Sequence, residues 1–226
     1  MRRRRGTRQA RFEWVNGQFA PLTRAINSQA AMAAITPRAD RIISLVDLAP
    51  GRRYADIGCG TAAYAHLLAD RAGLDEPPVC MDIVAGPGPV DFVGWPEQLP
   101  FADGSIDVLT SLYFIRRFED DVVHNFATEI SRVLAPGGSA LLMEVAPVKA
   151  GWLERLHRRL LSGGCAAVDL RGWGRMAALL TECGFDQVNL VNAGPFFLPP
   201  IPRIGVLLRR APNPGASSTA SAESAR

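Results

Sequence analysis

Apolar and polar positions along the chain change period repeatedly, and the changes divide it into elements. Seven short apolar runs, at 54–57, 79–83, 90–93, 106–112, 140–145, 187–191 and 204–208, have the length and composition of buried strands. Between them lie segments of helical period at 62–72, 120–134, 151–161 and 170–183. In the second of these Val122, Val123, Phe126, Ile130, Val133 and Leu134 recur near every 3.6 residues. Pro136-Gly137-Gly138 is placed to stop that helix, and Gly184 stands where the last helix needs a C-cap. Upstream, residues 13–49 read as helical: Ala30, Met32, Ala33 and Ala34 favour helix, Thr36-Pro37 punctuates, and Ile42, Ile43, Leu45, Val46 and Leu48 supply an apolar face. Strand–helix alternation predicts an α/β fold, a mostly parallel sheet with helices on both faces. The expected organisation is a basic disordered tail at 1–12, a helical cap at 13–49, one α/β domain at 50–210 and a disordered Ala/Ser/Pro/Gly tail at 211–226. The stretch 195–202 reads as a proline-rich loop.

Composition adds limits. With 226 residues, 48% of them hydrophobic and 21% charged, the chain has material for one full core. The net charge of +3 owes much to Arg2, Arg3, Arg4, Arg5, Arg8 and Arg11, a solvated arm or a weak phosphate-binding one. No apolar run follows these arginines, so a secretory signal is not expected, and a cytoplasmic location is. No stretch reaches the ~20 apolar residues of a spanning helix. Cys59, Cys80, Cys165 and Cys183 form no CxxC pair and no His/Cys cluster has zinc spacing, so no metal is expected. Lys149 is the only lysine, an arginine-and-alanine bias associated with GC-rich bacterial genomes.

The chemistry concentrates after the first strand, in Asp56-Ile57-Gly58-Cys59-Gly60-Thr61. Gly58 and Gly60 permit a tight strand-to-helix turn and a close ligand approach. Gly58-x-Gly60-x-x-Ala63 also fits the relaxed dinucleotide pattern, but Asp56 discriminates. A carboxylate there repels a pyrophosphate and favours a cationic sulfonium and amino group. Asp82, ending the second strand, is placed to accept both hydroxyl protons of a ribose.

The run ADIGCGT, then MDI, then EQLPFADGSIDVL, then ISRVLAPGGSALLMEV, resembles the class I S-adenosylmethionine-dependent methyltransferases, in the type 11-like small-molecule branch. The resemblance covers about residues 50–147. It implies a Rossmann-like seven-stranded sheet with its last strand antiparallel, and S-adenosylmethionine as cofactor. It implies that Asp56, Gly58, Cys59 and Gly60 hold the methionine end and Asp82 the ribose. Ile83 and the segment 95–99, with Trp95 and Pro96, would lie against the adenine. Ser111 and Leu112 would line the reacting centre. Such a transfer is an in-line displacement, in which alignment supplies much of the rate.

Departures from the family pattern carry information. Ala62 stands where a third glycine is common, a change the helix start should tolerate. Trp95 replaces an acidic residue that would meet the adenine amino group, and Pro96 has no N–H to offer, so Trp95 is expected to stack on the base. Arg116 and Arg117 replace a common histidine, pointing either to an anionic acceptor or to two solvated arginines. His124 reads as a surface residue, and His66 and His157 lie on helices away from the strand ends. Tyr113, Arg117 and Glu144 are the nominated acceptor contacts. Trp152, Leu153, Leu156 and Leu160 form one apolar stripe beside Arg155, Arg158 and Arg159, a core-facing helix or one leaning on an anionic membrane. A lipid, quinone or glycan acceptor suits these features. Nucleic acid does not, since Ser111-Leu112-Tyr113-Phe114 stands where base amino-group methylation uses an Asn-Pro-Pro-aromatic motif. A repurposed or non-catalytic relative and an NAD-dependent oxidoreductase are the competing classes. The oligomeric state is not legible.

Overall fold

The computed structural model describes residues 39–85, 88–148, 151–155, 169–191 and 203–212. Seven strands, β1 (Tyr54–Ile57), β2 (Val79–Asp82), β3 (Phe92–Val93), β4 (Ile106–Leu112), β5 (Leu134–Val145), β6 (Gln187–Val191) and β7 (Arg203–Arg209), form one sheet in the order β3-β2-β1-β4-β5-β7-β6. β1 to β5 pair in parallel, and β7 runs antiparallel to both β5 and β6. Helices α1 (39–46), α2 (Ala63–Ala72), α3 (Asp120–Val133), α4 (151–155) and α5 (Trp173–Leu180), with a 3-10 turn at Ile115–Arg117, complete the described elements.

Alternation along the strands feeds two cores. Tyr54, Val108 and Leu141 face Ile42, Val46 and Leu68 on the side of α1 and α2. Ile57, Leu109 and Leu142 face Phe126, Ile130 and Met176 on the side of α3 and α5. Each central strand is therefore buried on both faces, as parallel sheets require. Phe126 and Ile130 are sealed from solvent, and truncating Phe126 to alanine would cost about 3–5 kcal/mol.

Several expected boundaries move, each for a physical reason. The helix over 120–133 passes straight into β5, because Leu134 already pairs with Ile106. Pro136-Gly137-Gly138 instead forms an irregularity, and the register resumes at Val108 opposite Ser139. The third strand shrinks to two residues, as the Asp91 carboxylate accepts from the Cys80 amide at 2.8 Å. The last helix is shorter than 170–183, since residues 169–172 are irregular chain before Trp173. Gly184, with φ 84°, lies beyond that helix rather than at its cap. His124 is not a surface residue: half-buried, it hydrogen-bonds through Nδ1 with the Leu179 carbonyl at 3.1 Å, joining α3 to α5. The tail at 1–12, most of the helical cap, residues 156–161, the loop 195–202, residues 213–226, His157 and Cys165 lie outside the described residues.

Candidate active site at the carboxyl ends of the strands

The strand order reverses between β1 and β4, so their carboxyl ends part and leave a crevice. Asp56 lies on β1 beside it. The Asp56 carboxylate is 6% exposed, and its Oδ1 accepts from the Thr110 hydroxyl of β4. Thr110 Oγ1 in turn lies 2.7 Å from the Tyr54 hydroxyl. The three groups form a buried chain with a definite direction. With Asp56 ionised, each O–H has an acceptor: tyrosine to threonine to carboxylate. Burial opposes that state and raises the Asp56 pKa to about 7; the Thr110 hydrogen bond pulls it down and the Asp82 charge adds to the rise.

Asp82 ends β2 at 8% exposure. Its Oδ2 accepts from the Gly60 amide at 2.9 Å and its Oδ1 from the Ile83 amide at 2.7 Å, so the carboxylate ties the glycine turn to the strand end. Burial raises its pKa, against the amides of Gly60, Ile83 and Val84 and the charge of Arg117. Each oxygen keeps a lone pair for a ligand hydroxyl.

The turn between them is shaped by contacts on both sides. Gly58 has φ 80°, and a Cβ there would lie 2.3 Å from the Phe114 ring, so the phenyl group seals the turn from below. Gly60 has φ 58° and nothing within 4 Å of a built Cβ, so the turn is open on its other side. A Cβ on Gly88 would lie 2.0 Å from the Thr61 carbonyl oxygen, so the β2–β3 connection touches the turn backbone to backbone. Ala62, wholly buried, has φ 59° and ψ −5°, the left-handed region that glycine tolerates best. The helix start therefore accommodates alanine at this position with local strain. Contact with Cys80 and burial push the Cys59 thiol up, so it is no ready nucleophile.

On the far side of β2, Ile83 is buried in the larger core. Trp95 is half-buried against that core, edge-on to Phe118 with centroids 6.2 Å apart, and Pro96 is buried. The segment carrying them is held from behind. Arg132 on α3 donates to the Leu99 carbonyl at 3.2 Å and the Phe101 carbonyl at 2.9 Å, and pairs with Asp103. Glu129 accepts from the Leu99 amide at 2.8 Å and from Arg132 Nε at 2.8 Å. Two sequence signatures, LPFADG and SRVL, are thereby one contact.

At the ends of β4 and β5 the acceptor candidates separate. Ser111 is 2% exposed and its hydroxyl has no partner among the described residues; Leu112 is half-buried on the opposite face. Tyr113 has φ 59°, an uncommon conformation for a non-glycine residue. Its hydroxyl accepts from Arg203 Nη1 at 2.9 Å and donates to Met143 Sδ at 3.5 Å. Tyr113 also packs against Val145 and Leu170, forming an aromatic and aliphatic shelf. Glu144 is 3% exposed and occupied: it accepts from the Arg116 amide at 3.0 Å, Arg116 Nη1 at 3.3 Å and the Val145 amide at 2.9 Å. Neither Glu144 nor Arg116 is a free acceptor contact, and Arg116 is not solvated. Arg117 is exposed, and its charge reaches Asp82.

Residues 55–142 match the family described as methyltransferase domain. Residues 55–142 are a class I S-adenosylmethionine-dependent methyltransferase domain. Among curated proteins, a ubiquinone/menaquinone biosynthesis C-methyltransferase of Stenotrophomonas maltophilia is 31% identical over 130 residues, 51% of each chain. A probable tRNA methyltransferase 9B of mouse is also 31% identical, over 52% of this chain and 30% of its own. The chain thus spans about half the length of the first of these relatives and less of the second. A solved geranyl diphosphate C-methyltransferase from Streptomyces coelicolor, in complex with S-adenosyl-L-homocysteine, superposes with a TM-score of 0.63 at 12% identity. It covers 78% of this chain and 79% of that one, a likeness of fold.

The methyltransferase domain gathers Asp56, Gly58, Cys59, Gly60 and Asp82 around one crevice. Ile83 belongs to the core, and Glu144 to an internal ion pair. Sequence reasoning missed Thr110 and Tyr54, which the parallel pairing of Asp56 with Thr110 alone reveals. It also missed the Glu129–Arg132 brace and Phe114. Among the described residues no group of acidic, histidine or cysteine side chains is arranged to hold a metal.

Proposed function

We propose that the protein transfers the methyl group of S-adenosylmethionine by in-line displacement to a small-molecule acceptor with an apolar body and an oxygen substituent. One observation carries the cofactor reading: two buried carboxylates, Asp56 and Asp82, flank an open glycine turn at the switch point. A diphosphate would meet both negative charges, whereas a sulfonium, an ammonium and a ribose diol are all favoured there. The residues present fit the cofactor: Asp56 faces its cationic end, Asp82 keeps lone pairs for the ribose hydroxyls, and Gly60 has clear space. When bound, the cofactor supplies a methyl group already activated by positive sulfur. The chain's own task is alignment and exclusion of water.

The shelf of Tyr113, Val145 and Leu170, with Arg203 hydrogen-bonded at its edge, supports an apolar acceptor whose oxygen approaches one cation. Arg116 does not support an anionic acceptor, since Glu144 neutralises it. The tRNA methyltransferase relative shows that similarity alone does not select the acceptor class; this shelf favours a small molecule. Trp152, 67% exposed beside Arg155, supports a peripheral lean on an anionic membrane. Among the described residues no helix is long and apolar enough to cross one.

Isothermal titration tests the cofactor reading. Binding of S-adenosylmethionine and S-adenosylhomocysteine, with none of NADH, is expected. Binding of NADH alone would replace this function with hydride transfer. Binding of both adenosyl ligands without methyl transfer to any phenol or quinol in a panel would favour a non-catalytic relative, the reading that the Trp95-Pro96 replacement suggests. Co-sedimentation with phosphatidylglycerol vesicles at low salt is the expected sign of membrane contact; recovery of all the protein in the supernatant removes it.

A further inference from the structure

The chain between β4 and α3 touches both halves of the cofactor crevice without belonging to either. Phe114 seals the Gly58 turn, and Phe118 meets the edge of Trp95. The two phenyl rings also meet each other, with centroids 4.9 Å apart. Between them lies a short 3-10 helix, Ile115–Arg117, closed by the Phe118 amide donating to the Ile115 carbonyl at 3.1 Å, with no further helical turn to donate to its remaining carbonyls.

Arg171 adds donors from a distant part of the chain. Among the described residues it is the largest fully buried side chain, at 2% exposure. Its Nη2 donates to the Phe118 carbonyl, and its Nη1 to the Ile115 carbonyl at 3.2 Å and the Asp169 carbonyl at 3.4 Å. Its Nε pairs with Asp120 Oδ1, the first residue of α3, at 2.7 Å. Arg175 ties Asp120 and Asp169 together from outside, at 2.7 Å to each. The adjoining Asp169 amide donates to the Arg116 carbonyl at 2.8 Å. Leu170, next in the chain, packs on the Tyr113 shelf. A buried guanidinium that divides its planar fork between the Ile115 and Phe118 carbonyls of the turn and the Asp169 and Asp120 groups beside it, Asp169 Oδ2 lying 3.3 Å from Nη2, fixes the turn against both, a task the single ammonium of lysine cannot repeat.

We propose that Arg171 is a positioning residue that sets the cofactor site from the acceptor side, by holding the 114–118 turn whose phenyl rings support Gly58 and Trp95. The inference rests on the cofactor reading above and deepens it. Leu170 contacts the acceptor shelf and Arg171 clamps the turn beneath the cofactor, so the two binding events share one rigid segment.

The test is the affinity for S-adenosylhomocysteine, by calorimetry well below every melting temperature, of wild type, Arg171→Lys, Arg171→Met and Ser139→Ala. Ser139 is buried midway along β5, where its hydroxyl donates to the Val46 carbonyl on the α1 side, so its loss destabilises without touching the turn. Expected is about a tenfold weakening for both Arg171 variants, within the range of coupling effects of indirect residues, and unchanged affinity for Ser139→Ala. If Arg171→Met does not fold, Arg171→Lys decides alone. Arg171 variants that melt earlier yet bind as tightly as wild type would overturn the proposal and leave Arg171 a purely structural staple. Failure of the wild type to bind is a different result: it removes the cofactor reading itself, and this inference with it.

Discussion

Asp56 is caught between two preferences, and its titration makes them measurable. Its hydrogen-bond chain favours the carboxylate, while burial raises its pKa from 3.8 to about 7. An acid whose folded-state pKa is raised contributes stability that is full below its unfolded pKa and lost as pH climbs through the folded one. The ligand-free protein should therefore weaken between about pH 4 and pH 7, by up to about 4 kcal/mol, and change little from this group above. Asp56→Asn should flatten that slope and abolish cofactor binding; urea midpoints across this range check the first half. Parallel pH curves for the two proteins would sink the assignment. A cationic ligand favours the ionised acid, so S-adenosylmethionine affinity should fall as pH drops below 7, and more steeply than that of the uncharged-sulfur product. Ala62 supplies a second case. Ala→Gly in a helix interior ordinarily costs about 1 kcal/mol, but Ala62 is the N-cap of α2, where glycine is favoured over alanine. Here release of left-handed strain opposes the loss of a buried methyl, so Ala62→Gly should be within about 1 kcal/mol of wild type in urea. A loss well beyond that would mean the backbone is unstrained.

Among the elements, α3 serves the site without lining it. Its apolar stripe fills the core, and its last turn reaches out through Glu129 and Arg132 to the chain that carries Trp95. Arg132→Met should raise the KM for the cofactor several-fold with kcat nearly unchanged, if the segment it loosens flanks the adenine and not the reacting centre, as the proposed cofactor site requires. The accompanying stability loss should be about 1–3 kcal/mol, toward the low end because Arg132 is a third exposed. A fall in kcat with an unchanged KM would contradict the placement. Strand β4 and the glycine turn could be read in the sequence, because their apolar runs and glycines have no other use at that spacing. The 114–118 turn could not. Its conformation depends on an arginine over fifty positions later, and no local pattern announces a distant donor. The shortening of α5 has the same origin, since residues 169–171 are spent on that turn instead of a first helical coil.

Across the molecule, the seven-stranded, mostly parallel sheet and its antiparallel last strand agree with what the resemblance implied, since hydrophobic period and glycine placement determine which strands are buried and where they end. Side-chain partnerships follow less readily. Glu144 looked available at a strand tip, yet it neutralises Arg116, because a charge at 3% exposure needs an opposite charge beside it. Asp56 and Asp82 escape that rule only in part, through hydroxyl and amide donors, and a bound cationic ligand, as proposed, would relieve the residual cost. Saturating cofactor should accordingly raise the melting temperature more at pH 8 than at pH 5, where a protonated Asp56 needs no counter-charge; equal shifts at the two values would argue against that coupling.

The backbone contact between Gly88 and Thr61 has a practical side. A single methyl group there, in Gly88→Ala, would shove the glycine turn aside while leaving both hydrophobic layers intact. Such a protein should fold, stay soluble and ignore the adenosyl ligand, which would make it a matched blank for any assay that hunts the acceptor.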